Sequence, residues 1–229
     1  MNAAQRKLVL FDFDGTLADT AKDLAAAANR QRERQSLAPL PFDVLRPLAS
    51  QGARGMLRVA LGLTPEHAEY EASKQQFLLD YQACMHVHVA LFDGIRTLLD
   101  NLTTHGHAWG IVTNKLAYLA EPLIRQLGLA ADSAAVVGGD TTPHAKPHPA
   151  PLLHAARLAG FDPVHCVYVG DDERDILAGK AANMATIAVA YGYAPPEDIP
   201  AWQAHAIAHT PQDIWPALQG LGVQAQGSL

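Results

Sequence analysis

The chain reads as a doubly wound α/β protein, a parallel sheet covered by helices on both faces and interrupted by an all-helical insert. Short apolar runs rich in Val, Ile and aromatic residues alternate with longer helical segments, the pattern of parallel strands joined by crossover helices. These runs are nearly continuous in apolar character, which suits strands buried on both faces better than a half-exposed antiparallel sheet. The stretch between the first two runs, residues 14–107, is far longer than one crossover needs and reads mostly as helix.

In chain order, strands are expected over 7–13, 108–113, 135–138, 165–170 and 185–190, with a weaker one over 206–208. Within the insert an Ala-rich helix is expected over 20–35, followed by a break at Pro39 and Pro41. Periodic helical segments follow over 42–63 and 65–81, the latter with Thr64 as N-cap and Pro65 in the first helical position. The expected organisation is a core of residues 1–19 and 85–229 and a helical cap of residues 20–84. After Gly220 no periodicity is visible, and a frayed tail is expected.

The 229 residues are 49% hydrophobic and 17% charged with a formal charge of −6, a composition that argues against disorder. With no net basic balance to displace phosphate counterions, nucleic acid is not an expected partner. Cys84 and Cys166 are too few for a disulfide framework, which fits a reducing compartment. The apolar run after Arg6 and Lys7 is too short for a signal-peptide core, and no stretch approaches the roughly 18 apolar residues of a membrane span. A cytoplasmic location without membrane contact is therefore expected, as a monomer or homodimer.

The chemistry concentrates at strand ends. The first strand runs into Asp12-Phe13-Asp14-Gly15-Thr16, and residues two apart on a strand point to the same side, so Asp12 and Asp14 converge on one site. In open α/β sheets the carboxyl edge is where ligands bind. The strand over 165–170 also ends in acid, Asp171-Asp172-Glu173-Arg174-Asp175. Clustered carboxylates stay ionised only beside positive charge, and an all-oxygen set with room for water and a phosphate suits Mg²⁺ better than Zn²⁺ or Ca²⁺. Asp172 and Glu173 read more simply as acids complementing a helix N-terminus. Thr113 and Asn114 follow the second strand and Lys146 lies in a proline-stiffened loop. Together they offer a hydroxyl, an amide and one fixed charge, the parts of a phosphate cradle.

With Asp12-Phe13-Asp14-Gly15-Thr16, Thr113-Asn114, Lys146-Pro147 and Gly170-Asp171 through Asp175 in this order, the sequence resembles the haloacid dehalogenase superfamily of phosphohydrolases. The resemblance spans nearly the whole chain and implies a Rossmann-like core with a helical cap. It implies that Asp12 is the nucleophile that forms an aspartyl-phosphate and that Asp14 is the general acid and then base. It also implies that Thr113 and Lys146 bind the phosphoryl oxygens with help from Asn114. Mg²⁺ would be held by Asp12, the main-chain carbonyl of Asp14 and Asp171, with Asp175 as outer support or alternate ligand. Within the superfamily the sequence is most similar to the phosphoglycolate phosphatase group and its N-acetylmuramic acid 6-phosphate phosphatase relatives. The stretches that carry this are Gly138 to Thr141, Lys146 to Leu153, Asp175 to Ala182 and Tyr191-Gly192-Tyr193. Asn183 stands where the family usually has glycine, and asparagine tolerates the left-handed conformation expected there.

The substrate expected from this is a small phosphorylated metabolite, 2-phosphoglycolate first and the amino-sugar phosphate second. A glycine-bearing loop over 50–56 is the expected specificity segment, with Arg54 as its anion-binding candidate. A sugar phosphomutase of the same fold is an alternative. A non-catalytic binding module would be expected to lack at least one of Asp12, Asp14, Lys146 and Asp171, and a dehalogenase has no need of an acid at Asp14. His144 and His148 flank Lys146 without a cysteine nearby and are assigned no metal.

Overall fold

A computed structural model describes residues 6–224. The strands are β1 (Leu8–Phe11), β2 (Ala18–Asp19), β3 (Ala90–Leu91), β4 (Ala108–Val112), β5 (Val136–Val137), β6 (Cys166–Gly170), β7 (Ala185–Val189) and β8 (Ala206–Ala208). The helices are α1 (Ala21–Arg34), α2 (Phe42–Leu45), α3 (Gly52–Leu61), α4 (Tyr70–Gln82) and α5 (Ile95–Thr104). They continue as α6 (Ala117–Gln126), α7 (Ala150–Ala159), α8 (Glu173–Ala181) and α9 (Pro211–Gln224), with a 3₁₀ turn over Arg46–Gln51 between α2 and α3.

Six strands form one parallel sheet in the order β5-β4-β1-β6-β7-β8. Successive residues of its strands face opposite sides, so Val9, Phe11, Ile111, Val167 and Val169 join one core while Leu8, Leu10, Val112, Cys166 and Tyr168 join another. Leucines of α5 and α6 with Ile214 of α9 cover the first face, and α7 with Ala178 of α8 covers the second. From β1 the chain adds β4 and β5 on one side, then returns to add β6, β7 and β8 on the other. The order reverses between β1 and β6, the place where a doubly wound sheet opens a crevice at its carboxyl edge.

Helices α1 to α4 leave and rejoin the sheet through β2 and β3, an antiparallel pair in which Ala18 faces Leu91 and Asp19 faces Ala90. Strands of two residues carry no period, and none was expected here. Three further expectations are corrected. The 42–63 segment divides into α2, the 3₁₀ turn and α3, because Pro47 starts the 3₁₀ turn and Gly52 takes φ 56° at its end, so the break falls at 46–51. The expected loop over 50–56 therefore lies mostly within α3. Helix α4 starts at Tyr70 and not at Pro65, since Thr64 spends its main-chain N–H and hydroxyl on His67 Nδ1 at 3.0 Å in a local turn. The chain after Gly220 stays helical to Gln224, with Leu218 buried against the core; residues 225–229 of the expected tail lie outside the described residues.

Candidate active site

Parallel pairing brings the ends of β1 and β6 level: Phe11 lies opposite Val169, and the Asp12 main-chain N–H donates to the Val169 carbonyl at 2.9 Å. Asp12 and Asp171 therefore emerge side by side at the crevice. The turn after Asp12 folds back tightly, with the Gly15 N–H donating to the Ala18 carbonyl at 2.9 Å, and the Thr16 hydroxyl donates to Asp171 Oδ1 at 3.0 Å. Asp171 Oδ2 accepts from the Tyr193 main-chain N–H at 3.0 Å and from the Ser50 hydroxyl at 3.2 Å.

Lys146 reaches in beneath these acids. Its ammonium lies 2.9 Å from Asp12 Oδ1 and 2.7 Å from Asp175 Oδ1, and it donates to the Val112 carbonyl at 3.1 Å and to the Tyr168 hydroxyl at 2.7 Å. Asn114 braces that loop by exchanging two 2.9 Å hydrogen bonds with the main chain of Lys146, so its amide is directed at the lysine backbone. Thr113 is buried at the end of β4, and its hydroxyl accepts from the Lys115 N–H at 3.1 Å. Asp175 Oδ2 accepts from the Asp172 N–H at 3.1 Å while Asp172 accepts from the Arg174 N–H at 2.9 Å. This capping box explains Asp172 as a helix N-cap and turns Asp175 inward toward Lys146.

Oxygens of Asp12, Asp171 and Asp175 lie within 4.8 Å of one another, and all three residues are buried. Burial pushes the Asp12 carboxyl up to about 7 against the opposing pull of Lys146, and burial with the Asp12 charge raises Asp171 well above the usual carboxylate range. Asp175 is raised in the same way, burial outweighing Lys146. One ammonium stands among three buried carboxylates. The donor set is oxygen only, and it fits a hard divalent cation of the Mg²⁺ type.

Asp14 is partly exposed beside this cluster. Its Oδ1 accepts from the Thr20 hydroxyl and from the Lys115 ammonium at 2.8 Å. Lys115 belongs to the same strand end as Thr113 and Asn114, but a lone loop lysine reads as a solvated charge, and nothing local marks it as one whose side chain is only 7% exposed. Ser50 opens the expected specificity segment and Arg174 stands in the acidic stretch after β6, but the sequence assigned neither a role of its own because the Arg174 guanidinium and the Ser50 carbonyl, 2.8 Å apart, meet only through the fold. Arg54 is not brought to this cluster: it projects into solvent from α3, with Glu66 as its acidic neighbour. The exposed rings of His144 and His148 stack 4.4 Å apart, and among the described residues the metal-compatible ligands group only at Asp12, Asp171 and Asp175.

The profile of haloacid dehalogenase-like hydrolases matches residues 9–189. A phosphoglycolate phosphatase of Xanthomonas campestris pv. campestris is 44% identical over 210 residues, 91% of this chain and 95% of the relative. An N-acetylmuramic acid 6-phosphate phosphatase of Pseudomonas aeruginosa is 41% identical over 215 residues, 93% of this chain and 95% of that protein. In three dimensions the chain is similar to a predicted phosphoglycolate phosphatase from Haemophilus somnus, with a TM-score of 0.82 and 26% identity over 94% of this chain and 99% of the other. With a profile match that spans the sheet from β1 to β7 and relatives matched over nearly their full lengths, the chain belongs to the haloacid dehalogenase-like hydrolase family.

Proposed function

We propose that the chain is a Mg²⁺-dependent phosphomonoester hydrolase that works through an aspartyl-phosphate on Asp12, with 2-phosphoglycolate as its substrate and N-acetylmuramic acid 6-phosphate as the second candidate. The observation that carries this is the placement of Asp12 against Lys146 at the switch point, with Asp14 two residues on. Lys146 pairs with Asp12 and favours its anionic form for in-line attack on phosphorus, and it faces the equatorial oxygens of the phosphoryl group together with the Thr113 hydroxyl. Asp14 gives its proton to the leaving oxygen, then takes one from the water that opens the acyl phosphate. Asp12, Asp171 and the main-chain carbonyl of Asp14, with support from Asp175, would hold Mg²⁺, which would supply the positive charge that lets an anionic nucleophile meet an anionic substrate. Residues 20–84 serve as the cap over a core of 1–19 and 85–229, and the cap supplies contacts to the leaving group. Arg54, exposed on α3, remains the cap's anion-binding candidate.

The two relatives point to different leaving groups at nearly equal identity. Phosphate release from 2-phosphoglycolate, N-acetylmuramic acid 6-phosphate, hexose phosphates and p-nitrophenyl phosphate, with Mg²⁺ and with EDTA, decides between them. Magnesium-dependent release is expected, concentrated on one metabolite. Asp12→Asn should abolish turnover, and Asp14→Asn should accumulate phosphoenzyme; full activity in Asp12→Asn would remove the nucleophile assignment. Transfer of phosphate to a second sugar, with no net release, would establish a mutase instead.

A further inference from the structure

We infer that Lys115 is a positioning residue for proton transfer at Asp14, held in place by Tyr81 of the helical insert. The inference rests on the acid and base roles proposed above for Asp14.

The two lysines near the site divide its carboxylates between them. Lys146 pairs with Asp12 and Asp175, whereas Lys115 pairs with Asp14 at 2.8 Å. A lysine side chain only 7% exposed stays charged only if its surroundings replace the lost hydration. Asp14 does so on one side, and the face of the Tyr81 ring, 4.5 Å from the ammonium, does so on the other. Tyr81 lies on α4, is itself 1% exposed, and its hydroxyl has no hydrogen-bond partner. Tyr81 meets the ammonium with the face of its ring.

Both donors that reach Asp14, the Lys115 ammonium and the Thr20 hydroxyl, converge on Oδ1. Among the described residues none reaches Oδ2. The pair therefore fixes the carboxyl rotamer and leaves one oxygen for proton exchange. In the first half-reaction an Asp12 oxygen bonds to phosphorus as the ester P–O bond breaks. The electron pair of that bond goes to the leaving oxygen, which takes its proton from Asp14 Oδ2 and leaves Asp14 as a carboxylate facing Lys115. In the second, a water oxygen bonds to phosphorus, its proton passes to Oδ2, and the P–O bond to Asp12 breaks. Oδ2 is the exchanging atom in both halves, and Lys115 acts only through Asp14.

A residue that acts through the general acid matters in proportion to the leaving group's need for a proton. The test is single-turnover release of the leaving group by the Mg²⁺-loaded full chain. The substrates are p-nitrophenyl phosphate, whose phenolate departs unaided, and the alkyl phosphate turned over fastest in the panel. Lys115→Met should slow release from the alkyl ester by about a hundredfold and from p-nitrophenyl phosphate by less than about threefold, with Lys115→Arg restoring most of the alkyl rate. Tyr81→Leu keeps both charges and should show the same selectivity at about tenfold, which keeps the inference testable if Lys115→Met does not fold. Asp14→Asn is measured alongside. If it shows no dependence on the leaving group, the acid role of Asp14 fails, whatever Lys115 does. If Asp14→Asn shows the dependence while Lys115→Met and Tyr81→Leu slow both substrates equally, or neither, Lys115 is a structural counter-ion and the inference is overturned.

Discussion

Gly15 shows how little room the site leaves. Its φ of 84° is a conformation that costs an L-residue about 1–2 kcal/mol, and a Cβ there would lie 2.1 Å from Asp171 Oδ2. Gly15→Ala is expected to fold with a slightly lower Tm but to displace the Asp171 carboxylate. A titration of activity against Mg²⁺ should then show half-saturation raised by about tenfold or more, the scale seen when groups supporting a metal ligand are disturbed. An unchanged titration would mean that Asp171 tolerates the displacement. Asn183 is the opposite case: it takes φ 58°, as expected for the residue that replaces glycine after α8. Asn183 was legible because a backbone demand leaves its mark on the residue itself. Lys115 was not, because its burial comes from Tyr81 and Asp14, distant in sequence.

Among the elements, α1 and α4 are tied by a buried acid. Asp80 of α4 is only 6% exposed and accepts from the Arg34 guanidinium and the Gln31 amide of α1. Burial works to raise its carboxyl, but Arg34 together with the amides of Gln76 and Gln31 outweighs burial and holds it below the ordinary range. A depressed carboxyl contributes stability above the unfolded value of about 4 and loses it as pH falls through the folded value. Asp80→Asn should therefore lower stability at pH 7 by about 1 kcal/mol, a figure kept small because Arg34 is half exposed. The difference from the parent should close as denaturant melts are carried from pH 5 down to pH 2, and a difference independent of pH would mean that packing rather than charge joins the two helices. The start of α4 shows the limit of local signals. Thr64-Pro65 has the form of a helix start, yet a turn closed on His67 takes those groups and the helix waits for Tyr70, which is buried.

For the molecule as a whole, the insert and the sheet meet at the acidic cluster. Ser50 donates to Asp171, Arg174 donates to the Ser50 carbonyl, and the Arg46 guanidinium packs 5.2 Å from the Tyr193 ring centroid. A cation bound among Asp12, Asp171 and Asp175 relieves charge repulsion in the folded state only, so Mg²⁺ should raise the Tm as its concentration exceeds its Kd. The shift should correspond to about 2.7 kcal/mol at a hundredfold excess, and Asp171→Asn should largely remove it in differential scanning calorimetry with Mg²⁺ and with EDTA. An equal shift in the variant would place the stabilising ion elsewhere. Among the described residues no helix is long and apolar enough to cross a membrane.

By itself the sequence determined the α/β class, the parallel strands and the acids at their carboxyl ends. Apolar runs, their spacing and the two-residue step from Asp12 to Asp14 are written in consecutive residues, and a strand carries them directly to one edge. Only the tertiary structure decided that β1 and β6 are neighbours, that Lys115 faces Asp14, that Asn114 braces Lys146, and that Ser50 and Arg174 close on the cluster while Arg54 stays in solvent. The physical reason is that strand order and helix packing bring together groups that are remote along the chain. Such contacts depend on the burial and charge of distant partners, and no local period or spacing encodes them.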